Sequence, residues 1–535
     1  MKEGFRQCMA WLHTWAGLVA GWVLFFVFVT GAAGYFYAEI DRWMRPELPL
    51  APGRAAAPAA AVAWAQAHLQ ANAPQAETWT IALPGERTQP QLTVFARQAR
   101  QPDGAAGRLH RAVLDPRSGQ AVPEAAVRAT GGGRLLYRMH YLLHYVPRDA
   151  GIWAVGVCTM LMLVAIVSGV VTHKKIFADF FTFRRGKGQR SWLDAHNVVS
   201  VMALPFFLMI TYSGLAFFMA QYMPAGVQAV YGAGPEGRER LSAELSPASQ
   251  GAPAGRAAAL VPLSGIVHEA QARWAGLHVA GLTVRHPGDA AAVVTVWAER
   301  EGSPSIGLDT LRFDGATGEP LPDDASGGAR RTLNALLSLH EGRFAGPALR
   351  WLYFFASLLG CAMIATGLVL WTAKRKVKQD KRLKAGQSVA FGYRLVDCLN
   401  IATVAGLCTA VAVYFWANRL IPADFAGRRE WEAHAMFIAW GALLVHAAMR
   451  PARRAWVEQL WLAALAFGLL PLVNALTTQR HLGVTVPAGD WVLAGFDLTM
   501  LALGLVFAYV VHKLHRRLTV KPARPSREPL RKASA

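Results

Sequence analysis

The chain has 535 residues, 53% of them hydrophobic, and a formal net charge of +21, with a mean hydropathy of +0.25. That balance excludes a disordered polycation or an ordinary water-soluble enzyme and indicates a membrane protein. No nucleic-acid partner is expected, because segments 1–10, 174–190, 374–384, 450–454 and 513–535 carry 26 of the 55 Lys and Arg but only 4 of the 34 Asp and Glu, a bias set at helix ends facing lipid rather than one basic face.

In chain order, residues 11–38 are the first of eight apolar runs long enough to cross a bilayer; the others lie near 151–173, 196–222, 349–373, 396–418, 432–449, 456–476 and 490–512. The first run is too long for a cleaved leader and lacks a small-residue cleavage site, so 1–38 reads as an uncleaved anchor. The basic segments fall in alternate connections, which predicts both termini on the inner side of the membrane and segments 39–150 and 223–348 outside. In the first segment an Ala/Pro linker at 51–61 overlaps a helix at 58–72, followed by strands around Trp79–Leu83, Gln91–Arg97 and Leu109–Leu114. Gly131-Gly132-Gly133 reads as a flexible hinge before the next helix mouth. Cytoplasmic loop 174–195 leads to the third run. The second outside segment repeats the order: a linker at 244–259, a helix at 262–275, strands around His278–Arg285, Ala292–Glu299 and Thr310–Asp314, and a turn region at 322–328. Each copy ends its last strand in Asp-x-x-Ser/Thr-Gly, at Asp115–Gly119 and Asp314–Gly318, a pattern for a tight reversal. Helix plus three antiparallel strands predicts two small α+β domains. A basic loop at 374–395 precedes four further helices within 396–512, and a basic tail follows at 513–535. The five cysteines lie in or beside apolar runs, which predicts no disulfide framework and no covalent haem attachment.

Histidines recur at the mouths of the duplicated helices. His13 and His196 open the first and third runs, and each is followed eighteen positions later by a glycine, Gly31 or Gly214, five turns along one face. His144 and His340 each end a Leu-His phrase just before an outward-to-inward run. This spacing predicts two bis-histidine metal centres, His13 with His196 at the inner face and His144 with His340 at the outer face. Gly31 and Gly214 would leave room for the outer group. His140, one turn before His144, is the alternative outer ligand. His173 ends the second run and reads as a helix cap beside Lys174 and Lys175, with replacement of an inner ligand or a third haem as the other readings. Arg148, Arg343 and Arg350 are candidate partners for carboxylates near the outer pair. Asp194 and Trp192 are candidates to tune His196. His446 and His512 have no repeat partner and read as isolated helix-end residues; His68, His110, His278 and His286 read as surface residues.

The phrases Thr172-His173-Lys174-Lys175-Ile176-Phe177, Ser191-Trp192-Leu193-Asp194-Ala195-His196-Asn197 and Ile210-Thr211-Tyr212-Ser213-Gly214, with Asp-Pro-x-Ser-Gly closing the soluble unit and Leu-His before the next helix, resemble the long form of the PepSY-associated transmembrane family. The resemblance covers about 1–380. It implies a mainly α membrane protein in which two periplasmic PepSY-like α+β domains are inserted in a duplicated four-helix haem-binding bundle. It also implies two haem b groups and an oxidoreductase role in iron acquisition, with ferric siderophore as the substrate reduced in the periplasm. No function is carried onto the last four helices. The sequence has no nicotinamide, phosphate-loop or nucleophile-elbow motif, so electrons are expected from a quinol or a separate cytoplasmic-side donor. Two rivals are a non-enzymatic scaffold whose domains bind or inhibit a periplasmic partner, and a siderophore transporter.

Overall fold

The computed structural model describes residues 4–519 apart from 49–56, 85–90, 100–106, 124–126, 174–175, 177–179, 185, 246–250, 275–276, 300–308, 323–327 and 343. Arg343, Lys174, Lys175 and most of the 322–328 turn region therefore lie outside the described residues. The chain is mainly helical.

The first copy of the duplication comprises α1 (Phe5–Gly34), α2 (Tyr37–Trp43), α3 (Pro58–Asn72), β1 (Thr78–Ala82), β2 (Leu92–Arg97), β3 (Leu109–Leu114), α4 (Gly132–Leu142) and α5 (Arg148–Thr172). The second comprises α6 (Gln189–Met202), α7 (Leu204–Ala216), α8 (Leu263–Arg273), β4 (His278–Arg285), β5 (Val293–Glu299), β6 (Asp309–Asp314), α9 (Gly328–Glu341) and α10 (Pro347–Lys384). Short helices between 219 and 245 link α7 to the second soluble half. Beyond residue 390 come α11 (Phe391–Ile401), a π-helical turn (Ala402–Gly406), α12 (Leu407–Leu420), α13 (Arg428–Met449), α14 (Ala452–Gly468), α15 (Leu470–Thr477) and α16 (Trp491–Thr519).

Among the described residues seven helical stretches are long and apolar enough to cross a membrane, and α6 with α7 forms a bent pair that makes an eighth if counted as one span. The bend of 67° falls at Ala203–Leu204–Pro205, where proline has no N–H to give the preceding turn and its ring displaces that turn's carbonyl. Spans pack closely where glycine faces a large side chain: Phe28 lies against Gly360 and Leu368 against Gly21.

The six strands appear close to where alternation places them, but they make one sheet rather than two. Its order is β3-β2-β1-β4-β5-β6, and β1 pairs antiparallel with β4 about Thr80 and Thr283. One apolar core lies beneath, joining Leu69, Ile81 and Val94 of the first half to Val267, Leu282 and Val296 of the second. The first Asp-x-x-Ser/Thr-Gly turn closes with Asp115 accepting from the Arg117 amide at 2.7 Å and Gly119 at φ +69°. In the second, Asp314 accepts from Ala316 and Thr317 at 2.9 and 2.8 Å, with Gly318 at φ +77°.

The expected hinge at Gly131–Gly133 is instead a buried contact. A Cβ on Gly132 would stand 1.8 Å from Asp41 Oδ1, and one on Gly133 would stand 2.0 Å from the Tyr37 carbonyl. Glycine serves close approach here, seating the start of α4 on α2.

Candidate metal centres

Each conserved-by-duplication histidine stands beside a helix of its own copy and faces the other copy's histidine. His13 Nδ1 is 2.8 Å from the Ala165 carbonyl on α5, and His196 Nδ1 is 2.9 Å from the Met363 carbonyl on α10. Their ring centroids are 6.2 Å apart. His140 Nδ1 is 2.7 Å from the Val27 carbonyl on α1, and His340 lies against the Ile210 carbonyl on α7 with its Nδ1 3.1 Å from Ser213 Oγ. These two ring centroids are 5.9 Å apart. The pairs sit at opposite ends of α1, fourteen residues or about 21 Å apart between His13 and Val27 at 1.5 Å per residue. The His140–His340 pair lies on the sheet side, and the His13–His196 pair on the basic side.

One local device makes all four approaches. The accepting carbonyl is followed three residues later by Ser or Thr and four residues later by Gly: Val27, Thr30, Gly31; Ala165, Ser168, Gly169; Ile210, Ser213, Gly214; Met363, Thr366, Gly367. The glycine gives the imidazole room. A Cβ would stand 2.7 Å from His140 Nδ1 at Gly31, 3.1 Å from His13 Cε1 at Gly169, 2.9 Å from His340 Cε1 at Gly214 and 3.2 Å from His196 Cε1 at Gly367. Each hydroxyl donates back to its own helix, as Thr30 does to Phe26 at 2.8 Å, Ser168 to Val164 at 2.6 Å, Ser213 to Met209 at 2.6 Å and Thr366 to Ala362 at 2.7 Å. Two of them also reach the ring: Ser213 Oγ is 3.1 Å from His340 Nδ1 and Thr366 Oγ1 is 3.3 Å from His196 Nδ1.

With Nδ1 tied to a carbonyl, the rings of His13, His140 and His196 carry their proton there and leave Nε2 as the basic nitrogen. A metal bound by two imidazole nitrogens at about 2 Å each sets the ring centroids on the order of 6 Å apart, so both gaps fit a single atom. Among the described residues there is no group of three or more His, Cys, Asp and Glu placed to hold a metal. Two imidazoles alone would suit an ion whose remaining positions a bound cofactor supplies.

The structure brings His13 to His196, and Gly31 and Gly214 lie against His140 and His340. The structure brings His140, not His144, to His340. α4 ends at Leu142, so His144 lies past the helix and swings away, stacking on Phe437 of α13 with centroids 5.3 Å apart. His173 caps α5, and its Nε2 accepts from Asn197 at 2.9 Å. Arg350 pairs with Glu39 at 2.6 Å, and Arg148 is exposed beside Asp149. Asp194 holds Arg184 at 3.0 Å. His446 bonds Glu458 at 2.9 Å, and His512 is exposed. His68 and His110 stack on each other at 5.9 Å.

A buried polar cluster not foreseen from sequence locks α4 to the last four helices. Glu432 accepts from Thr130 Oγ1 at 2.5 Å, the Gly131 amide at 3.2 Å, Asn418 at 2.7 Å and Arg428 at 2.5 Å. Arg428 also donates to the Ala129 carbonyl at 2.8 Å, and Tyr414 donates to Gly132 at 2.9 Å. Nearby, Arg419 lies 3.5 Å over the Trp43 ring.

Fold and site together define a multi-pass membrane protein with an internally duplicated bundle and a shared extramembrane sheet. The sequence profile described as PepSY-associated TM region matches residues 10–374, and the chain belongs to that family. It is also 26% identical over 380 residues to a Pseudomonas aeruginosa protein described as Uncharacterized protein PA4219, a match covering 68% of this chain and 90% of that one.

Proposed function

We propose that the chain is a di-haem b electron-transfer protein of the bacterial inner membrane that reduces a periplasmic acceptor, with ferric siderophore as the acceptor class. The carrying observation is the pair of cross-copy histidine couples, with centroids 6.2 and 5.9 Å apart, Nδ1 of His13, His140 and His196 on a helix carbonyl and Nδ1 of His340 on the Ser213 hydroxyl. On this reading His13 and His196 hold the cytoplasmic-side haem, and His140 and His340 hold the periplasmic one. Bound haem supplies one-electron ferric/ferrous chemistry, matching an acceptor whose iron is released as the more weakly held ferrous ion.

The protein's own groups do the rest. The carbonyls fix tautomer and ring angle, which tunes the basicity of Nε2. The four glycines set how closely each ring approaches its helix. The sheet, as two PepSY-like halves, covers the periplasmic centre and shapes the acceptor's landing surface. The basic ends of the spans favour cytoplasmic termini.

Purified protein is expected to show low-spin b-type haem bands that sharpen on dithionite reduction. His140→Ala and His340→Ala should each lose about half the haem, and His144→Ala should keep it all, since only the first two lie across the gap a single iron spans. Reduced protein mixed with a ferric siderophore should reoxidise in step with the appearance of ferrous iron. A colourless protein that inserts fully into membranes overturns the proposal and favours the scaffold.

A further inference from the structure

We infer that the cleft between the α4–α5 corner and the sheet-side end of α13 binds the ring of a membrane quinol, with His144 and His434 hydrogen-bonded to its two hydroxyls. The cavity is about 370 Å³, which suits one substituted ring and is small for a whole hexadentate iron chelate. Its apolar walls come from Leu135, Met139, Leu142, Leu143 and Ala433, and its polar lining is Arg138, His144, Tyr145, Arg429, Glu430 and His434. The His144 ring is stacked on Phe437. Tyr145 OH bonds His434 Nδ1. Burial, then His434 and Arg138, lower the His144 pKa, so at neutral pH it is an uncharged imidazole able to accept a hydroxyl hydrogen.

Two further observations mark the place. Leu143 at φ 57° and Tyr145 at φ 62° bracket His144 in a region that side-chain-bearing residues avoid, whereas the second copy turns its corner on Gly342 at φ 60°. Such a conformation persists only where surrounding contacts enforce it, and it clusters at ligand sites. Second, Met139 lines the cleft and the next residue, His140, belongs to the sheet-side pair, so a ligand here lies beside that centre. Exposed Trp431 and Ile438 on α13 leave an apolar approach for a lipid-soluble molecule. The α13 wall lies beyond the family match at residue 374, which gives the added helices a part in the chemistry.

The inference rests on the proposed function for its electron acceptors. Oxidation of one quinol to quinone releases two protons and two electrons. The protons pass to His144 and His434 and leave to water past Glu430 at the rim. The two electrons would be taken up one at a time by the two one-electron centres that His13 with His196 and His140 with His340 would hold, which matches the yield of a two-electron donor.

The test uses the full-length protein in detergent, with decylubiquinone as the binding probe and haem content measured on the same sample. Saturable binding is expected, weakened at least tenfold in His434→Phe, which keeps the ring shape, and in Leu142→Trp, which fills the cleft; haem content and bands should stay as in the wild type. Decylubiquinol should reduce the wild-type haem and fail with both variants. Absence of saturable binding by a haem-replete wild type overturns the inference and leaves the proposed function standing. Undiminished binding in both variants overturns it too, as does displacement of the probe by a ferric trihydroxamate chelate. Binding that follows the expected variant pattern in protein without haem supports the quinol site and overturns the di-haem reading.

Discussion

His13 stands on the long span α1 and His196 on α6, one arm of the bent α6–α7 pair, whereas His140 and His340 stand on α4 and α9, helices that lie between the sheet and the next span. The local anchor is the same in all four cases. What differs is the support: the basic-side pair needs only helices packed on helices, while the sheet-side pair also depends on groups far along the chain. Glu432, 292 residues after His140 in sequence, holds the first turn of α4. Identical local chemistry can thus be set on frames of different stiffness, and the two centres should respond differently to change.

The strongest break of that comparison is steric. On the proposed di-haem reading, Gly31→Val should abolish the sheet-side centre and Gly169→Val the basic-side centre, each removing about half the haem and leaving the other half's spectrum intact, because branched carbons at 2.7–3.1 Å from the ring exclude it. If both variants lost both haems, the centres would not be independent. Glu432→Ala comes next. It strands Arg428 in a buried site, which costs about 3–5 kcal/mol, read as a lower melting temperature, and should shift the potential of the sheet-side centre alone. Ser213→Ala removes a hydroxyl 3.1 Å from His340 Nδ1, a loss of about 0.5–1.5 kcal/mol. It should move the sheet-side midpoint potential slightly and leave the basic-side potential where it was; an equal shift in both would deny the hydroxyl a local role.

The smallest effect lies outside the membrane. Partial burial and the adjacent His110 lower the His68 pKa. A depressed histidine binds fewer protons folded than unfolded, so its contribution is intact above the ordinary value near 6.5 and stability declines as pH falls from there through the folded pKa. Amide protection factors of α3 and β3, which divide out the intrinsic slowing of exchange at lower pH, should fall between pH 7 and 5, and His68→Gln should remove that component.

Much of this was legible in the sequence. Strong periodicity placed the spans and strands, and duplication singled out His13, His196, His340 and, where the structure has His140, His144, because symmetric positions reinforce each other. The pairing of β1 with β4 was hidden, since alternation specifies a strand's faces and not its neighbour. The choice of His140 over His144 turned on where α4 ends, a boundary of one turn that local pattern resolves poorly. Gly169 and Gly367 did leave a signal: each of the four bundle spans contains one Ser/Thr-Gly dipeptide, at 30–31, 168–169, 213–214 and 366–367. The Glu432 cluster left none, because its members are scattered across 302 positions.

The strand pairing centred on Thr80 and Thr283 continues as a seam through the whole duplicated unit. Every couple spans that seam, so neither repeat owns a complete centre. Such self-matching surfaces are what a twofold homodimer presents, and a chain severed within 180–188 into two co-expressed pieces should reassemble into a working whole, while each piece alone should bind nothing.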